Sequence, residues 1–180
     1  MRRWDTTDVS TDTLVTRLRA ASKRLAALRP AVEAGAPWPL SQNFGTEPEA
    51  SWGPPEILAH VAEMLPFWLG EIERVLAGSG APVAFGRVAT DQLRLLVLER
   101  DRSLPPRELF DRIATGSDRV GRRLESLTAR DTERRGLHPT RGELTVEALA
   151  ERFIVSHLEE HAEQLATVTP AAPGRRGPPG

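Results

Sequence analysis

Apolar residues recur at alternating steps of three and four along most of this chain, the spacing that lays one stripe on an α-helix. Between Thr11 and Val32 the stripe is Leu14, Leu18, Ala21, Leu25, Leu28 and Val32. Ser10, Thr11 or Asp12 supplies its N-cap, and Pro30 with Gly35 marks its end region. A second helix is predicted from Pro54, with Gly53 or Ser51 as cap, because proline is tolerated in a first turn. Its inward positions are Ile57, Val61, Met64, Trp68, Ile72 and Val75, and Gly78-Ser79-Gly80 closes it. Pro66 lies inside this run and predicts a kink or an early break. A short helix over about 90–100 follows. A third long one starts at Pro105-Pro106 and turns Leu109 or Phe110, Ile113, Ser117, Val120, Leu124 and Leu127 inward. The fourth is capped by Thr145 and runs to about Thr167 through Val146, Leu149, Phe153, Ile154, Leu158 and Leu165. Nothing reads as a strand. Four amphipathic helices without strands predict an all-α bundle.

The stretch from Pro30 to Gly53 is long and rich in proline and glycine. A connection of that length either lines a site or passes over the bundle as a crossover. Residues 1–168 are expected to form one domain, with 169–180, rich in Pro, Gly and Arg, disordered. A length of 180 residues with 39% hydrophobic residues is ample for one core. Twenty-four Lys+Arg against 25 Asp+Glu leave a formal net charge of −1, which gives no electrostatic pull towards nucleic acid or anionic lipid. Lys23 is the sole lysine, and the arginines alternate with acids, as in Arg130-Asp131-Thr132-Glu133-Arg134-Arg135, a solvated-surface pattern. The polar start from Met1 to Ser10 carries no secretory-type apolar stretch, and runs such as Leu95–Leu98 are too short for a bilayer. A soluble, cytoplasmic protein with neither membrane nor nucleic-acid partner is expected. Cysteine is absent, which excludes disulfides, thiolate metal sites and a cysteine nucleophile.

The chemical signal lies in the four histidines, His60, His138, His157 and His161. His157 and His161 stand one helical turn apart on the fourth helix, so both imidazoles can reach one ion. His60, between Ile57 and Met64, sits at the edge of the second helix's stripe and could add a third nitrogen from a facing helix. Three neutral imidazoles suit Zn, Ni, Mn or Fe and leave positions open for water or substrate. The competing reading is three hydrogen-bonded core histidines with no ion. His138, in His138-Pro139-Thr140-Arg141-Gly142, has a surface or turn role as its default.

The stretch Trp52-Gly53-Pro54-Pro55-Glu56-Ile57-Leu58-Ala59-His60-Val61-Ala62-Glu63 resembles the second-helix signature of the DinB/YfiT-like family of metal-dependent proteins. His138-Pro139, Gly142-Glu143-Leu144-Thr145 and His157-x3-His161-x2-Gln164 are similar to its fourth-helix signature, and the likeness spans about 11–168. The resemblance implies a four-helix bundle in up-down-down-up order and a divalent ion on His60, His157 and His161. It also implies a homodimer, and, for some relatives, transferases or isomerases that use mycothiol, bacillithiol or glutathione.

An enzyme of that kind would move a low-molecular-weight thiol onto an electrophilic small molecule. With no cysteine in the chain, the thiol must arrive as a cosubstrate, and a cation favours its thiolate. Water activated at the same ion would give a hydrolase, and an ion held without turnover a binding or stress-response protein. Glu63, one turn past His60, is the leading candidate for a carboxylate base or for a partner that supports the site from behind its ligands; Glu56 and Glu160 are weaker, and a solvated surface acid is the competing reading for each. Gln164 either orients a ligand or packs. Arg141 is among the loop arginines suited to a carboxylated substrate.

Overall fold

The computed structural model describes residues 10–42, 44 and 49–169. Helix α1 spans Thr11–Gly35, capped by Ser10, whose hydroxyl accepts from the Thr13 N–H. It runs through Pro30. Helix α2 spans Pro54–Ala77 without interruption, so Pro66 does not break it. Pro66 is exposed while Met64, Leu65, Trp68 and Ile72 on either side are buried. The hydrogen bond it removes therefore falls on the solvent side, and core packing holds the helix through it. Helix α3 is Gln92–Asp101, capped by Asp91, and α4 is Pro106–Glu125. A single turn, α5, covers Ala129–Thr132.

The last helix is compound. It comprises α6 (Val146–Ala150, capped by Thr145), a π-helical turn over Glu151–Val155, and α7 (Ser156–Val168). Arg17 of α1 braces the π turn at both ends. Its guanidinium donates to Glu151 at 2.9 Å, to Ser156 at 3.0 Å and to Glu159 at 2.6 Å. The expected disordered tail lies outside the described residues apart from Thr169.

Helix α1 packs on α4 and α7, and α2 packs on α4, α6 and α7, so α1 and α2 face each other across the bundle. The 36–53 connection must therefore cross it. Helix α2 is the central element, with Ile57, Leu58, Val61, Met64, Leu65 and Ile72 wholly buried. Burying each such side chain contributes roughly 1.5–3 kcal/mol before entropy is counted.

The expectation of no strands is corrected by a small three-stranded sheet. Strand β1 (Val83–Ala84) runs parallel to β2 (Arg135–His138), and β2 pairs antiparallel with β3 (Gly142–Thr145). Strands of two and four residues are too short for an alternating pattern to register. Gly136 permits the close approach: a Cβ there would stand 2.5 Å from the Phe85 ring and 2.7 Å from Val75. The sheet presents His138 and the 139–141 turn to the same end of the bundle as His60.

Candidate metal centre

Helix α2 places His60 at the edge of its buried stripe, and α7 places His157 and His161 one turn apart. The Nε2 atoms meet: His60 to His157 is 2.8 Å and His161 to His157 is 3.1 Å. Nitrogen ligands around a tetrahedral ion stand about 3.3–3.4 Å apart, and neighbours around an octahedral one about 2.9 Å. The spacing in the protein is of that size.

The outer ring nitrogens show how the cluster is set. Gln164 Oε1 lies 2.8 Å from Nδ1 of His161, and Gln164 Nε2 donates to the Glu49 carbonyl at 2.6 Å. An acceptor at Nδ1 makes that atom the N–H and leaves Nε2 as a lone pair aimed at the cluster. His157 has Glu160 3.7 Å from its Nδ1, a looser version of the same arrangement. Two lone-pair nitrogens 3.1 Å apart repel each other, and a cation between them removes the conflict. His60 is the opposite case. Its ring packs edge-on to Trp52, with centroids 5.5 Å apart, and its Nδ1 lies 3.3 Å from the Arg94 guanidinium. Arginine only donates, so this contact suits a bare Nδ1 and an Nε2–H. Ligation through Nε2 requires the other tautomer, so Arg94 is the neighbour that an ion must rearrange.

Burial pushes all three imidazoles down. His60 falls well below its ordinary value, with the charges of His161, His157 and Arg94 adding to burial. His157 is lowered to about 3 by burial, then by His161 and Arg94. For His161, burial outweighs the opposing pull of Gln164 and Glu49. Neutral imidazoles are the form that binds metal.

A fourth donor comes from the long connection. Glu49, in a 3-10 turn over Glu49–Ser51, brings a carboxylate oxygen to the cluster, and the ligand atoms of Glu49, His60, His157 and His161 all lie within 4.8 Å of one another. Its carboxylate also pairs with Arg94. Sequence reasoning passed over Glu49. The available signal was the length of the 30–53 stretch, from which Glu49 reaches the site.

Glu63, Glu56 and His138 stand apart from the cluster, and Glu160 touches it only loosely. Glu63 binds Arg87 through both oxygens, at 2.5 and 2.6 Å. Glu56 is buried and accepts from the Ser41 N–H at 2.9 Å and from Arg102 at 3.0 Å, locking the start of α2. Glu160 is largely exposed. His138 is buried, and its Nδ1 accepts from the Thr140 N–H at 3.3 Å. Above the cluster lies a cavity of about 660 Å³, whose lining includes His60, His157, Glu49, Trp68, Phe153, His138, Glu160 and four arginines, Arg87, Arg94, Arg141 and Arg152. Neutral nitrogens and a carboxylate open to such a cavity can hold a divalent ion with room for an exchangeable ligand.

The family model described as the DinB superfamily matches residues 6–165. No match was found among curated proteins or among solved structures.

Proposed function

The chain belongs to the DinB superfamily, and from that premise we propose that it is a divalent-metal-dependent enzyme transferring a low-molecular-weight thiol to an electrophilic small molecule. The observation that carries this reading is the meeting of three imidazole Nε2 atoms and the Glu49 carboxylate at the base of an open cavity. His60, His157, His161 and Glu49 would hold the ion; zinc, nickel, manganese and iron all suit that donor set. When bound, the ion supplies a Lewis acid that favours thiolate over thiol, or hydroxide over water.

The chain's own residues do the rest. Gln164 holds the His161 tautomer and ties the Glu49 turn to it. Trp68 and Phe153 give the cavity an aromatic wall. In this reading Glu63 acts through Arg87, the guanidinium it holds at the cavity. The sulfur nucleophile comes from outside, since the chain contains no cysteine. The up-down-down-up order belongs to the same reading, supported by the placement of α1 and α2 across the bundle. So do the homodimer and the cytoplasmic setting. Among the described residues no helix is long and apolar enough to cross a membrane.

Elemental analysis of the purified chain, followed by assays with mycothiol, bacillithiol or glutathione and an electrophilic acceptor, tests the proposal. The expected result is one ion per chain and ion-dependent thiol consumption, both lost in the His157→Ala/His161→Ala double variant. Full occupancy without turnover would make this an ion-binding protein. Ester cleavage without thiol would make it a hydrolase, and absence of an ion would defeat the reading altogether.

A further inference from the structure

The four arginines lining the cavity fall into two classes. Arg87 is neutralised by Glu63 and Arg94 by Glu49. Arg141 and Arg152 have no acidic partner among the described residues, although salt bridges are frequent elsewhere on this surface. They come from separate segments, Arg141 from the turn joining β2 to β3 and Arg152 from the π turn of the last helix, yet both line the one cavity. Both charges also reach His138 on the same lining, where burial first, and then Arg141 and Arg152, hold its imidazole below the ordinary value.

An aromatic wall lines the same cavity. Phe153 follows Arg152 directly, and its ring stacks on Trp68 with centroids 4.3 Å apart and planes 14° apart. A solvated arginine alone signifies nothing. Two exposed, unpaired ones that line one cavity beside an aromatic wall suit an anionic oxygen group, because the planar fork matches carboxylate and phosphate. Four arginines line this cavity against Glu49 and Glu160, and a divalent ion in the cluster would add further positive charge that favours an anionic ligand.

We propose that the cavity takes a small organic anion, a carboxylate or phosphate monoester with a planar apolar portion. Its charged end sits between Arg141 and Arg152, and its apolar portion lies on Phe153 and Trp68. This inference rests on the metal-centre reading only for where the ligand reacts; the clamp itself needs no ion.

Calorimetric titration of the full chain, with and without one equivalent of zinc, should use benzoate, phenyl phosphate and the neutral benzamide as probes. The expected result is that at least one anion binds about tenfold or more tightly than benzamide, in the ion-free chain as well. Arg141→Gln/Arg152→Gln should abolish that preference while leaving zinc stoichiometry unchanged, and the ranking of benzoate against phenyl phosphate identifies the group recognised. Benzamide within about twofold of both anions, an unaltered preference in the double variant, or no anion binding at millimolar concentration would overturn the clamp. Loss of zinc binding with the anion preference intact would overturn the metal centre alone.

Discussion

His60 and the pair His157/His161 reach one point by different means. His60 rides on α2, the most deeply buried helix, and its ring is fixed by packing against Trp52. Its outer nitrogen meets only a donor, Arg94. The other two ride on a helix interrupted by a π turn, and their outer nitrogens face Gln164 and Glu160. One ligand is therefore placed by the core and one by a hydrogen bond to Gln164, while His157 has a looser 3.7 Å contact with Glu160. The α7 side is set for a cation as it stands, whereas the α2 side is restrained by a guanidinium. Affinity for the ion should then be adjustable from the α7 side without cost to the fold.

The largest effect should come from Gln164→Leu, which strips His161 of its acceptor and frees the Glu49 turn. Ion affinity is expected to fall by about 10–100-fold, read by competition with a chromophoric chelator, with the thermal midpoint of the ion-free chain little changed. Unchanged affinity would mean that packing places His161 as it does His60. On the opposite wall, Arg94→Met should tighten ion binding, by about tenfold, because it removes a positive charge and frees the His60 tautomer. Weaker binding there would show that Arg94 supports Glu49 more than it hinders His60.

The pH dependence of the ion-free chain comes next. An unfolded histidine titrates near 6.5, whereas folded His157 titrates near 3 and the other two are also lowered. Across that window the unfolded chain binds more protons, so stability should fall as pH drops. The slope should approach ~1.4 kcal/mol per pH unit for each buried neutral histidine. Urea titrations at pH 7, 6 and 5 measure it, and His157→Gln should reduce it. A profile no steeper in the wild type than in that variant would contradict burial of a neutral ring. The smallest effect belongs to Glu160→Gln. At 3.7 Å and largely exposed, this contact should alter ion affinity by less than about threefold.

Much of this was legible in the sequence wherever burial imposes a period. The stripe of α2 predicts its residues and the start at Pro54, and the i, i+4 pair predicts that His157 and His161 converge. The π turn was harder to read because Leu149, Phe153 and His157 also fit an unbroken helix. The buried positions Val146, Ala150, Ile154, Leu158 and Ala162 repeat every four residues, so burial alone carries no mark of the extra residue in the π turn. Phe153, half-buried against the core, also lines the cavity. Strand β1 and Glu49 left no periodic trace. Both are fixed by tertiary contacts, β1 by pairing with β2 and Glu49 by Gln164 and Arg94. At Pro66 the helix continues without the break, because the residue faces solvent in a helix held by its core.

The most direct test is diffraction from crystals of the ion-loaded chain, recorded at the absorption edge of the element found by analysis. A single anomalous peak is expected about 2.0–2.2 Å from Nε2 of His60, His157 and His161 and from a carboxylate oxygen of Glu49. A peak elsewhere, or three imidazoles that keep their ion-free contacts while the ion sits on surface acids, would contradict it.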